Sequence, residues 1–82
     1  MLHLHRQLES IAKQELIRLD ISGSVLGVCF IYYKCCPMIR ITFCSEIEPK
    51  PTLTGFDYIE KDNEEDTTWY LYLTIDTNIR II

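Results

Sequence analysis

The sequence predicts a two-layer α+β sandwich, with one N-terminal helix packed on a four-stranded, mainly antiparallel sheet in the order α-β-β-β-β. Three observations predict it. Apolar residues near the start recur every three or four positions, the spacing of one helix face. From residue 25 onward the apolar stretches are rich in β-branched and aromatic residues and tend to alternate. The links between those stretches are short, which favours an antiparallel meander. The chain has 82 residues, enough for one domain over residues 1–82, and 48% of them are hydrophobic, enough for a packed core.

The helix is expected over residues 4–20. Leu4, Leu8, Ile11, Ala12, Leu16 and Leu19 form its stripe, Arg6, Glu9, Lys13 and Arg18 lie off it, and Ser22-Gly23 supplies a stop. A strand over 25–33 and a second over 38–44 form a hairpin, with residues 34–37 as its loop, because Pro37 cannot donate to a ladder. Residues 46–55 make a long loop around Pro49 and Pro51. A short strand over 56–61, a charged turn over 62–66 and a strand over 67–75 follow. Asp76-Thr77-Asn78 turns again before residues 79–82.

Alternation along the strands divides the sheet into two faces. Leu26, Val28, Phe30 and Tyr32, with Ile39, Ile41, Phe43, Trp69, Leu71, Leu73 and Ile75, are expected beneath the helix. The opposite face holds Cys29, Ile31, Tyr33, Arg40, Thr42, Cys44, Tyr70, Tyr72 and Thr74. It is poor in charge for a solvent face. Tyrosine and arginine bring large contact area with a polar tip, so Tyr33, Arg40, Tyr70 and Tyr72 are the expected protein-binding residues.

Other chemistries lack their patterns. Twelve carboxylates against eight Lys and Arg give a net charge of −4, the wrong sign for a chain that tracks phosphates, so no nucleic-acid partner is expected. No apolar run reaches the length of a membrane span, and charges at short intervals through the first twenty residues do not suit a signal peptide. No membrane partner and a cytoplasmic location are expected, with Cys29, Cys35, Cys36 and Cys44 reduced. His3 and His5 with these cysteines have ligand chemistry without ligand spacing, so no metal is expected. Gly23, Gly27 and Gly55 are scattered rather than gathered in a phosphate loop, and no cofactor is expected. No catalytic residues are expected either.

Two functions fit these readings. The first is a small acidic protein-interaction domain without catalysis, acting as a homodimer or as an inhibitor or immunity-type binder of a larger protein. The second is a small thiol-dependent enzyme or redox sensor using Cys35 or Cys36, which follow Lys34 at an exposed turn. A carrier of a small apolar ligand is a third, for which so short a chain has little interior room.

Overall fold

A computed structural model of the chain describes residues 2–33, 35–55, 57–63 and 67–75, leaving the side chains of residues 2–5 and 33 aside. Its elements are helix α1 (Leu2–Arg18) and strands β1 (Ser24–Tyr33), β2 (Cys36–Cys44), β3 (Tyr58–Lys61) and β4 (Thr68–Thr74). This is the α+β arrangement read from the sequence. Residues 64–66 of the acidic turn, the turn expected at Asp76-Thr77-Asn78 and the segment 79–82 lie outside the described residues.

Leu8, Ala12 and Leu16, four apart, form the buried stripe of α1. The helix does not stop at Ser22-Gly23. It stops earlier, at Asp20, whose φ of 58° lies in the left-handed region. The Asp20 N–H donates to the Ile17 carbonyl at 3.0 Å and the Ile21 N–H to the Leu16 carbonyl at 2.8 Å. That pair of bonds is a Schellman ending, and Ile21 and Leu16 join the same core, as the motif's hydrophobic contact requires. Glycine is the usual residue at this position, and an aspartate there also faces the negative end of the helix dipole. Asp20→Gly is therefore expected to raise stability by about 0.5–1 kcal/mol. The check is a higher urea midpoint at unchanged slope. A lower midpoint would mean that the Asp20 side chain stabilises the turn itself.

The strands do not form a meander. Their order is β1-β2-β4-β3, all neighbours antiparallel. The reason is the long connection around Pro49 and Pro51, whose extended backbone carries the chain past the β4 position before β3 begins. The sheet is therefore two hairpins laid side by side and joined along β2 and β4. Pro37 also departs from expectation. Pairing runs out to Tyr33 with Cys36, and Pro37 stands within β2 opposite Tyr32. It is tolerated there because it lies beyond the last β2–β4 pair, Met38 with Thr74.

The core face carries Ile39, Ile41 and Phe43 of β2 against Leu73, Leu71 and Trp69 of β4, covered by Ala12, Leu16 and Ile21. Phe43, Ile41 and Leu71 are completely buried. Along β1 the expectation needs correcting. Leu26 is 60% exposed, Phe30 51% and Tyr32 81%. A bulge accounts for Leu26. Val25 pairs with Phe43 and Gly27 with Thr42, which leaves Leu26 extra and hands its core place to Val25. Phe30 and Tyr32 are exposed because β1 is an edge strand, with sheet neighbours on one flank only.

Ser45 ties these layers together. Its buried hydroxyl lies 2.7 Å from the carbonyls of both Ser22 and Ile47, its single proton able to serve either. Its carbonyl accepts the Trp69 indole N–H at 3.2 Å. Gly23 passes close beside this latch. A Cβ there would sit 2.7 Å from the Cys44 carbonyl oxygen and 3.0 Å from Phe43 Cδ2. Gly23→Ala must push backbone against a filled core. A loss of about 1–3 kcal/mol in denaturant unfolding is expected, and a neutral result would contradict the tightness of this crossing.

Candidate functional site

The sequence-predicted residues lie on the face opposite the helix, in cross-strand rows. One row runs Cys29, Arg40, Tyr72, Tyr58 across all four strands, and the next runs Gly27, Thr42, Tyr70, Glu60. Arg40, Tyr70 and Tyr72 are thus neighbours. Tyr33 is not among them. It closes β1 opposite Cys36 at the hairpin end, and its side chain lies outside the described residues.

The tyrosine rows are closed on themselves. The Tyr58 and Tyr72 rings stack with centroids 4.6 Å apart and planes 13° from parallel, and Tyr70 tilts against Tyr72 at 6.4 Å. The Arg40 guanidinium sits 4.9 Å from the Tyr70 ring centroid, a cation–π contact. The Tyr72 hydroxyl donates to Glu60 Oε2 at 3.3 Å and the Tyr70 hydroxyl to Asp62 Oδ1 at 3.1 Å. Tyr72 keeps 4% of its surface exposed and has almost nothing to offer a partner, whereas Arg40 and Tyr70 are half-buried. Tyr58, Glu60 and Asp62 were not read from the sequence as part of this cluster. Their signal was the short β3–β4 hairpin, whose register sets Tyr58 on Tyr72 and Glu60 on Tyr70.

Electrostatics follow from this packing. Burial raises the Tyr72 pKa above the usual phenol value, with the Glu60 carboxylate adding to the rise and Arg40 opposing it. The Tyr70 pKa is also raised, first by its hydrogen bond to Asp62. Burial works against the Arg40 charge, but hydrogen bonding to Tyr72 and Cys29 outweighs it, so its pKa stands above the ordinary one. A phenol whose pKa is higher folded than unfolded stabilises fully below the unfolded value, about 10, and loses that contribution as pH rises through the folded value. Phenolate absorbance should therefore develop late on alkaline titration, with stability falling above about pH 10. Tyrosines that all ionise as in the free amino acid would contradict the cluster.

A second surface lies along β1. Of the large apolar side chains left exposed, Leu26, Phe30 and Tyr32 belong to this strand and Ile17, 70% exposed, to the adjoining helix. A cleft of about 480 Å³ opens beside the start of β1, between Lys13 and Ile17 of α1 and Gly23, Ser24 and Val25. The backbone of β1 is open as well. The Pro37 carbonyl accepts the Ile75 N–H, so it turns toward β4 and away from Tyr32. By the alternation of antiparallel ladders, the N–H and C=O groups of Tyr32, Phe30 and Val28 then point to the free edge.

All four cysteines are free. Cys35 is exposed in the turn at a φ of 65°, while Cys36 belongs to β2. Among the described residues no three His, Cys, Asp or Glu side chains gather as metal ligands would, and no helix is long and apolar enough to cross a membrane. Comparison with family models, with curated proteins and with solved structures finds no match to this chain, so the reading of its function stands on these two surfaces alone.

Proposed function

We propose that the chain is a non-catalytic protein-interaction domain that presents strand β1 to a protein partner. One observation carries this reading: the edge strand has no charged residue in the ten positions Ser24–Tyr33 and leaves Leu26, Phe30 and Tyr32 exposed. Sheet edges that stay solvated are guarded by charge, proline or brevity. The other edge of this sheet follows that rule, since β3 has four residues, carries Glu60 and Lys61, and leads into Asp62. The bulge at Leu26 is the one guard along β1, and the stretch from Val28 to Tyr33 beyond it suits strand addition, in which backbone hydrogen bonds supply affinity and side-chain contacts supply selectivity. Arg40 and Tyr70 remain candidate contacts on the opposite face. The thiol-dependent alternative has less behind it, because no described acid or base side chain is hydrogen-bonded to Cys35 or Cys36.

The test is retention of proteins from a native extract by immobilised wild-type chain and by a Leu26→Lys, Tyr32→Lys variant. Both side chains are exposed, so the variant should fold, as circular dichroism will verify. A protein held by the wild type and lost by the variant is the expected result. An identical set on both columns would remove β1 as the binding surface.

A further inference from the structure

We infer that the partner of β1 is a second copy of this chain, the two β1 strands pairing antiparallel about a two-fold axis near Phe30 to make one continuous eight-stranded sheet. The inference rests on the reading of β1 as an interaction edge and names what occupies it.

Three features favour a second copy. The first is shape. The strand leaves apolar side chains exposed along its length, from Leu26 at 60% through Phe30 at 51% to Tyr32 at 81%. Antiparallel pairing about Phe30 sets the Tyr32 of each copy opposite the Val28 of the other, one diagonal step from the exposed Leu26. The two outer contacts are then equivalent and apolar on both sides, as an isologous interface needs.

The second is backbone parity. The groups turned to the free edge belong to Val28, Phe30 and Tyr32, whose side chains lie on the helix face, as their partners Ile41 and Ile39 do. A two-fold axis perpendicular to the sheet keeps both helices on one side. The exposed aromatic rings of both copies then fill the space between the two helices while the backbones bond. Leu26, Phe30, Tyr32 and the strand backbone offer on the order of 500 Å² per copy, matching the roughly 1,000 Å² in total that a specific interface requires.

The third is charge. The chain is net −4, which opposes self-association in general. The strand order keeps part of that charge away from the contact. Glu60 and Asp62 sit on or beside β3, the edge farthest from β1. In the paired sheet the two β3 edges stand seven strand spacings apart, roughly 30 Å, several times the screening length of about 8 Å at physiological salt. The contact itself brings neutral strand to neutral strand.

Sedimentation equilibrium and hydrogen exchange test this together, on the full chain from about 1 µM to about 1 mM, reading self-association by mass action. The expected result is a monomer–dimer equilibrium, with exchange at the Val28, Phe30 and Tyr32 amides slowing as the dimer forms. Phe30→Lys should raise the dimer dissociation constant at least 100-fold while leaving the circular dichroism spectrum unchanged. The hydrogen-exchange measurement needs no variant, so a Phe30→Lys protein that failed to fold would not spare the inference. A chain monomeric throughout the range overturns it, and so does a dimer whose three edge amides exchange at the monomer rate. A monomer that still loses an extract protein on the Leu26→Lys, Tyr32→Lys change overturns the second copy alone, leaving β1 as a docking edge for a different protein.

Discussion

Trp69→Ala is expected to lower unfolding free energy by about 3–5 kcal/mol, a large share of the stability of a domain of this size. Trp69 pairs with Phe43 across β2 and β4, and both are buried. Its removal empties a space the size of the indole between layers that cannot close over it. It also strands the Ser45 carbonyl that the indole N–H satisfies. Trp69→Phe separates the two contributions, since it keeps most of the bulk and loses the hydrogen bond. It should cost about 1–3 kcal/mol. Urea unfolding followed by far-ultraviolet circular dichroism measures both variants without depending on tryptophan fluorescence. Equal losses for the two would mean that the hydrogen bond, and not the packing, dominates at this position. A loss under 1 kcal/mol for the alanine variant would contradict the core described for the sheet.

Tyr72→Lys is the second large effect, and it departs from the sequence-based expectation that Tyr72, like Tyr70, is a protein-binding residue. Tyr72 does lie on the face away from the helix. It is nevertheless enclosed by the stacked ring of Tyr58, the tilted ring of Tyr70 and the side chain of Arg40. Lysine there puts a second cation beside Arg40, removes the stacking partner of Tyr58 and leaves Glu60 without its hydroxyl donor. A loss of about 3–5 kcal/mol is expected, comparable with disrupting a buried charged network. Tyr70→Lys should cost less than about 1 kcal/mol, because its ring is only half-buried and its hydrogen bond to Asp62 is exposed. The two single variants, unfolded side by side in urea, check the difference. Similar midpoints would show that the rows are not closed as described.

The contrast between these tyrosines marks how far the sequence was legible. Alternation alone assigned Ile39, Ile41, Phe43, Trp69, Leu71 and Leu73 to one face and Arg40, Tyr70 and Tyr72 to the other, because a pleat turns every second side chain the same way. It could not assign burial within a face, which depends on the neighbours a strand order supplies. Tyr72 is central and sealed, whereas Phe30 and Tyr32 belong to an edge and are exposed. Leu26 was misassigned for a different reason. Nothing in Val25-Leu26-Gly27 announces a bulge except the glycine, and a glycine inside a strand is a weak signal. The meander failed because short links dominated that expectation, although one link was long and proline-bearing. The Asp20 ending was hidden because aspartate rarely takes the left-handed position that Gly23 advertises.

Two hairpins joined along one seam also set how the chain assembles. The turns after β1 and β3 close local pairings, which form fast and early. The seam between β2 and β4 joins residues from opposite ends of the proline-bearing connection, and it carries the rows that bury Phe43 and Trp69. Its formation closes the longest loop in the sheet and bears the largest closure entropy. Until that seam forms, the apolar faces of both hairpins stand open. The order of events makes the connection around Pro49 and Pro51 the hinge of folding, and a chain cut within it would keep both halves of the sheet able to find each other.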